Sequence, residues 1–347
     1  MIMEQHRLTP GILLDGNGNL SEAGYAFSLV KQYNRALVAA KNSRLKEWDY
    51  YYIGNENYGI ALTIDDNGYM NMASISVLDF RGTPKDITKS IIGMFPKTRL
   101  PLPESSATGD IKFENKKKRF SMEFRHEGKK RHLLCYMEEF GDKKETFHCD
   151  IYLEETFADS MAIATPFKKA GHFYYNQKIN GLKASGYAKL GEQVYDMNDR
   201  CYGVLDWGRG VWTYKNTWYW SSLNALLDGK PFGWNLGYGF GDTSKASENM
   251  VFYAGRAFKL DDVKFDIPMD ERGRDVFLKP WQFRSSSGDI AVTFQPVYDR
   301  HSDTNLLILR SNQHQVFGLF SGYVLLDGRR VQFENLPGFA EKVFNKW

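Results

Sequence analysis

The sequence has no apolar run approaching the roughly 18 residues that a membrane-spanning helix requires. Met1 to Asp15 also lacks the basic start and long apolar stretch of a secretory signal. The expected protein is soluble, cytoplasmic and free of integral membrane association. Cysteine is scarce: Cys135, Cys149 and Cys201 form an odd set without a CxxC pair, which offers no framework for disulfides, zinc or a redox centre and reads as buried free thiols. An excess of one charge is missing too. The 45 basic and 42 acidic residues leave a formal net charge of +3, too small a field to hold nucleic acid or a membrane by charge alone. The 7 histidines include no helical i, i+4 pair, so no metal site is expected.

Familiar catalytic loops are absent as well. Gly237, Gly239 and Gly241 recur with period two, one face of a strand, and not as the GxGxxG of a nucleotide loop. Ser221-Ser222 lacks the flanking glycines of a nucleophile elbow. Asp15-Gly16-Asn17-Gly18-Asn19 imitates the start of a calcium loop, but Leu20 and Ala26 stand where Gly and Glu are needed. No cofactor is expected, and a small molecule is the default partner.

What is present is aromatic: 15% of the 347 residues are Phe, Trp or Tyr. That length suits two hydrophobic cores. Short aromatic and β-branched runs cut by Asp65-Asp66-Asn67-Gly68, Asp228-Gly229, Ser286-Ser287-Gly288 and Asp327-Gly328 read as consecutive hairpins. The expected fold is all-β and antiparallel, two barrel-like halves, with more than two-fifths of residues in strands. A compositional shift toward Trp and Gly places the division near 190, giving halves 1–190 and 191–347. Ser21 to Ala40 is a helical candidate, and Thr83-Pro84 could open a short helical turn. Lys116-Lys117-Lys118-Arg119, with Arg125 and Lys129-Lys130-Arg131, flanks a turn and reads as a solvated hairpin face.

Five tryptophans fall between Trp207 and Trp234. The candidate site therefore lies between Asp206 and Asn249: Asp206, Arg209 and Glu248 for proton chemistry, and Trp207, Trp212, Trp218, Trp220, Asn235 and Asn249 as lining. Carboxylates and an arginine among rings are partly desolvated, which shifts proton affinities. A Trp-rich core stapled by an Asp206–Arg209 ion pair explains the same composition, and composition does not separate the two. If Asp228-Gly229 forms a tight primed turn, Trp220 faces Gly237, Trp218 faces Gly239 and Ser222 faces Asn235, with each indole expected across a glycine.

The chain resembles, nearly end to end, a bacterial family known as domain of unknown function number 2804. The resemblance rests on Leu13-Leu14-Asp15-Gly16-Asn17-Gly18, Lys46-Glu47-Trp48-Asp49-Tyr50, Tyr175-Asn176-Gln177-Lys178-Ile179-Asn180, Leu205-Asp206-Trp207-Gly208-Arg209-Gly210-Val211-Trp212, Glu248-Asn249 and Gly338-Phe339-Ala340-Glu341. Glu47 stands where a basic residue is expected, and Tyr219 where Asn is expected. The block Tyr175 to Asn180 adds Asn176 and Lys178 to the candidate lining. The Asp-Trp-Gly block and paired-barrel layout also look like the carotenoid hydratase (hydroxyneurosporene synthase) group. That implies lipocalin-like barrels acting on apolar molecules by hydration or cyclisation without a cofactor. Three functions stay open: a cofactor-independent lyase, hydratase, isomerase or cyclase; a carrier of lipid or isoprenoid; and a carbohydrate-binding or glycoside-cleaving protein.

Overall fold

The computed structural model describes residues 4–198, 200–306 and 309–346. Strands hold 61% of the residues, and no helix among the described residues reaches seven residues. Two curled sheets form barrel-like bodies. Neighbours in the first run in the order 85–94, 70–79, 58–66, 45–54, 202–211, 173–190, 147–155, 130–137, 120–127 and 111–115, with short strands added along 173–190. The second has nine strands, in the order 256–259, 250–253, 230–238, 215–227, 329–346, 309–326, 290–306, 281–284 and 264–266. All pairings within both sheets are antiparallel.

The change of sheet falls later than the composition places it. The strand Tyr202–Val211 pairs with Phe173–Leu190 and with Leu45–Gly54 in the first sheet, and the second sheet begins at Lys215. The Asp-Trp-Gly block thus belongs to the first barrel, because its small Gly208 and Gly210 let it sit between two strands rich in large rings. A Cβ on Gly208 would lie 1.9 Å from Cζ2 of Trp48, so the indole of Trp48 covers this glycine. The helix expected over Ser21 to Ala40 is absent; two short strands, Gly24–Ala26 and Lys31–Gln32, and one 3-10 turn, Arg35–Leu37, occupy it. Thr83-Pro84 leads straight into the strand Lys85–Met94. In the basic hairpin most cations are solvated, but Arg131 is buried and donates to Glu155 and to the Ser106 carbonyl.

Alternation along the strands separates two kinds of core. Odd residues of 45–54 and 202–211, such as Tyr51, Leu205 and Trp207, fill the first barrel. Trp234, Leu236, Trp281 and Phe320 fill the second. Even residues face outward, yet most of them are buried too, because the outer faces of the sheets pack on one another: Tyr52 and Val204 of the first meet Trp220, Phe317 and Phe339 of the second. A bulge between Ile179 and Leu182, with Gly181 at φ +66°, brings Asn180 into this seam. There its amide donates to Ser222, Asn224 and the Trp234 carbonyl at 2.9–3.0 Å.

Candidate functional site

Asp206 and Arg209 do not meet. Residues three apart on a strand point to opposite faces, so Arg209 enters the first barrel while Asp206 faces the seam. Arg209 is fully buried, donating to Asp49 Oδ1 at 3.0 Å and to the carbonyls of Trp48, Gly208 and Pro103 at 2.8 Å, above the Trp207 ring. Trp207 packs with it against Tyr33 and Tyr175. Glu47 lies within the same ionic group, gripped by Arg35 and Arg99. These residues are the polar filling of the first barrel.

In the seam, neighbouring strands set Lys178, Asp206 and Tyr50 in one row. Lys178 Nζ lies 2.6 Å from Asp206 Oδ2 and 4.0 Å above the Trp220 ring. Asn176 donates to Asp206 Oδ1 at 2.6 Å and to the Trp207 carbonyl at 2.7 Å. Its own Oδ1 is buried without a hydrogen-bond partner among the described residues.

The facing row comes from the second sheet. The turn at Asp228-Gly229, with φ of +51° and +73°, fixes the hairpin in the expected register: Trp220 opposite Gly237 and Ser222 opposite Asn235. On its other side Trp220 is opposite Glu341. The expected indole over Gly237 is not observed: a Cβ there would lie 2.7 Å from Cδ of Glu248, so the bare backbone makes room for a carboxyl. Gly239 faces the Thr217 carbonyl and the backbone of Trp218. Trp220 therefore sits between two acids, with the ammonium over its ring and its own N–H given to Asn235 Oδ1 at 2.7 Å.

Both acids have raised proton affinity. Burial pushes the Glu341 carboxyl up to about 7, with Asp206 adding to the shift and the Trp218 N–H and Lys178 opposing it. That N–H donates to Glu341 Oε1 at 3.0 Å. Gln315 bridges Glu341 Oε2 to the Tyr50 hydroxyl, at 3.3 and 3.2 Å. Burial also raises Glu248, against Lys178 and the Asn235 amide. Asn235 donates to the Glu248 carbonyl at 2.7 Å and to its carboxyl at 3.3 Å. Asn249 serves the frame, accepting from Gly237 N–H at 2.8 Å and donating to the Asp261 carbonyl.

An aromatic group covers this polar row. Tyr174 stacks on Trp48, and Trp48, Trp212, Trp218 and Phe240 meet edge to face at centroid distances of 4.9–6.0 Å. Trp48 and Trp218 are half-buried, the others buried. The structure thus unites Asp206, Glu248, Asn176, Lys178, Trp212, Trp218, Trp220 and Asn235, and directs Arg209 and Trp207 elsewhere. Sequence reasoning missed Glu341, Trp48, Tyr174 and Gln315 as site residues. Glu341 and Trp48 already stood in the family blocks. Among the described residues no group of three or more histidine, cysteine or carboxylate side chains converges to hold a metal ion.

Residues 4–347 match the family described as domain of unknown function DUF2804, to which the chain belongs. No curated protein matches it in sequence. Among solved structures, a Nitrosomonas europaea protein assigned as AttH is similar over 91% of this chain and 98% of its own, with 13% identity and a TM-score of 0.52. Kievitone hydratase from Nectria haematococca covers 100% and 98%, with 11% identity and a TM-score of 0.49. The AttH likeness shows the paired-barrel fold. No helix is long and apolar enough to cross a membrane among the described residues.

Proposed function

We propose that the seam between the barrels is a proton-handling site acting, without a cofactor, on a largely apolar small molecule by addition or removal of water or by isomerisation. One observation carries this reading: Glu341, with its carboxyl near neutrality, and Glu248 flank Trp220 while the Lys178–Asp206 pair faces them. A carboxyl that titrates near neutral pH can both give and take a proton, as a general acid must. In the hydration direction Glu341 gives its proton to one carbon of a double bond. Water bound at Asn176 Oδ1 adds its oxygen to the other carbon, gives one of its two protons to Asp206 and keeps the other in the new hydroxyl. Proton return from Asp206 to Glu341 through solvent closes the cycle. Trp48 and Trp218 are the half-buried rings of the aromatic cover, and Trp218 caps the Glu341 carboxyl with its N–H. The resemblance to the carotenoid hydratase group supports the same class of chemistry. Enclosed carboxyls offer no open groove of the kind that glycoside cleavage would use.

The test is incubation of the protein with extract from its own cells in 18O-labelled water, beside Glu341→Gln. The reading expects a product that gains the label, or an altered isomer, with the wild type alone. Recovery of an apolar ligand unchanged, held equally by both proteins, replaces it with the carrier reading.

A further inference from the structure

A second site lies on the first barrel. A cleft of about 580 Å³ opens between the loop carrying Asn17 and Asn19, the segment 39–44 and the turn 169–172. That volume is in the range of small-molecule sites. Lys41, Arg44, Lys169 and His172 line it together with Ala40 and Ala170, and none of its ten lining residues is acidic. Its walls are tied from below: Asp15 accepts from the Asn17 and Asn19 amides at 2.8 and 2.9 Å, and Asn19 Oδ1 accepts from Gly171 N–H at 2.8 Å. The turn closes with His172 N–H donating to the Lys169 carbonyl at 3.1 Å. His172 Nδ1 is 3.1 Å from the Ala170 carbonyl, so its second ring nitrogen is the one left for a ligand.

The cleft adjoins the aromatic cover of the seam. Arg44 Nη2 donates to the Trp212 carbonyl at 3.0 Å. His172 precedes Tyr174 by two residues, about 7 Å of extended chain.

We propose that this cleft binds the anionic head, phosphate or carboxylate, of an amphiphilic small molecule whose apolar body lies toward Trp212 and Trp48. Lys41 and Lys169 supply charge, Ala40 and Ala170 apolar contact, and His172 a donor that appears on protonation. Burial, together with Lys169 and Arg44, holds the His172 imidazole below its ordinary value. An anion beside it reverses that balance. The proposal concerns binding and stands without the chemistry assigned to Glu341.

The experiment titrates the full chain with octyl phosphate, inorganic phosphate and octanol, read by calorimetry and by the NMR titration of His172, assigned with His172→Gln. Octyl phosphate is expected to bind at least tenfold more tightly than either other probe and to raise the His172 midpoint. The double variant Lys41→Glu/Lys169→Glu, with unchanged thermal unfolding, is expected to lose at least tenfold in octyl phosphate affinity. Octanol or inorganic phosphate binding as tightly as octyl phosphate overturns the amphiphile class. An unmoved His172, or a double variant with wild-type affinity, overturns the site.

Discussion

Replacing Lys178 with Met removes the one ammonium that touches Asp206 among the described residues while keeping most of the stem packed against Trp220. Its side chain is 4% exposed and that of Asp206 12%, so solvent does not take over the lost contact. At 2.6 Å, and with an effective dielectric of about 20, the gross attraction is about 6 kcal/mol. Desolvation of both ions cancels part of it, and losing one partner of a buried pair costs about 3–5 kcal/mol net. Here Asp206 is left in one neighbourhood with Glu248 and Glu341, so the upper half of that range is expected at pH 7. The cost has a pH signature. Lys178 opposes the raised proton affinity of Glu248 and Glu341, so without it these two bind protons still more tightly in the folded chain, and stability is kept below the ordinary carboxyl pKa and lost as pH rises. Urea unfolding of Lys178→Met at pH 5 and pH 7 should show the smaller deficit at pH 5. Adding Asp206→Asn should recover about 1–2 kcal/mol, because a neutral pair is cheaper than an orphaned charge. A deficit below about 1 kcal/mol at pH 7 would refute this reasoning. So would a double variant no more stable than the single one.

Three further substitutions test separate parts of the structure. Glu341→Gln should gain on the wild type as pH rises from 4.5 to about 7. Burial raises the folded pKa from the ordinary 4.5 to about 7, so the wild type loses roughly 3 kcal/mol over that window. Parallel stability profiles in urea would show that burial does not shift this carboxyl. Gly237→Val places a side chain where the Glu248 carboxyl lies and should cost about 1–3 kcal/mol in thermal unfolding; an unchanged melting temperature contradicts the contact. Arg209→Met should cost about 3–5 kcal/mol and leave ligand handling in the surviving folded protein intact, because Arg209 points into the first barrel. Loss of ligand handling without loss of stability would return Arg209 to the site.

The part of the site legible in the sequence was local. Asp228-Gly229 specified one hairpin register, since the turn demands two positive φ values, and that register placed Trp220, Ser222, Gly237 and Asn235 on one face. Asp206 and Glu248 stood out as carboxyls among rings. The opposition of Asp206 and Arg209 was also within reach, because their spacing of three is odd and a strand alternates with period two. Proximity along the chain concealed it. Composition likewise grouped Trp207, Trp218 and Trp234, which the alternation distributes among the first barrel, the seam and the second barrel.

What the sequence by itself determined was the all-β class, the hairpin turns and the face on which each residue of a strand lies. These follow from backbone geometry over a few residues. Only the tertiary structure decided that the strand Tyr202–Val211 joins the first sheet, and that the outer faces of the two sheets are buried against each other. Lys178 meets Asp206 across neighbouring strands, whereas Trp220 and Glu341 reach them only because the two sheets pack face to face. That packing removes water from Glu341 and moves its proton affinity toward neutrality. Desolvation depends on everything that surrounds a carboxyl, and most of what surrounds this one lies more than a hundred residues away in the chain.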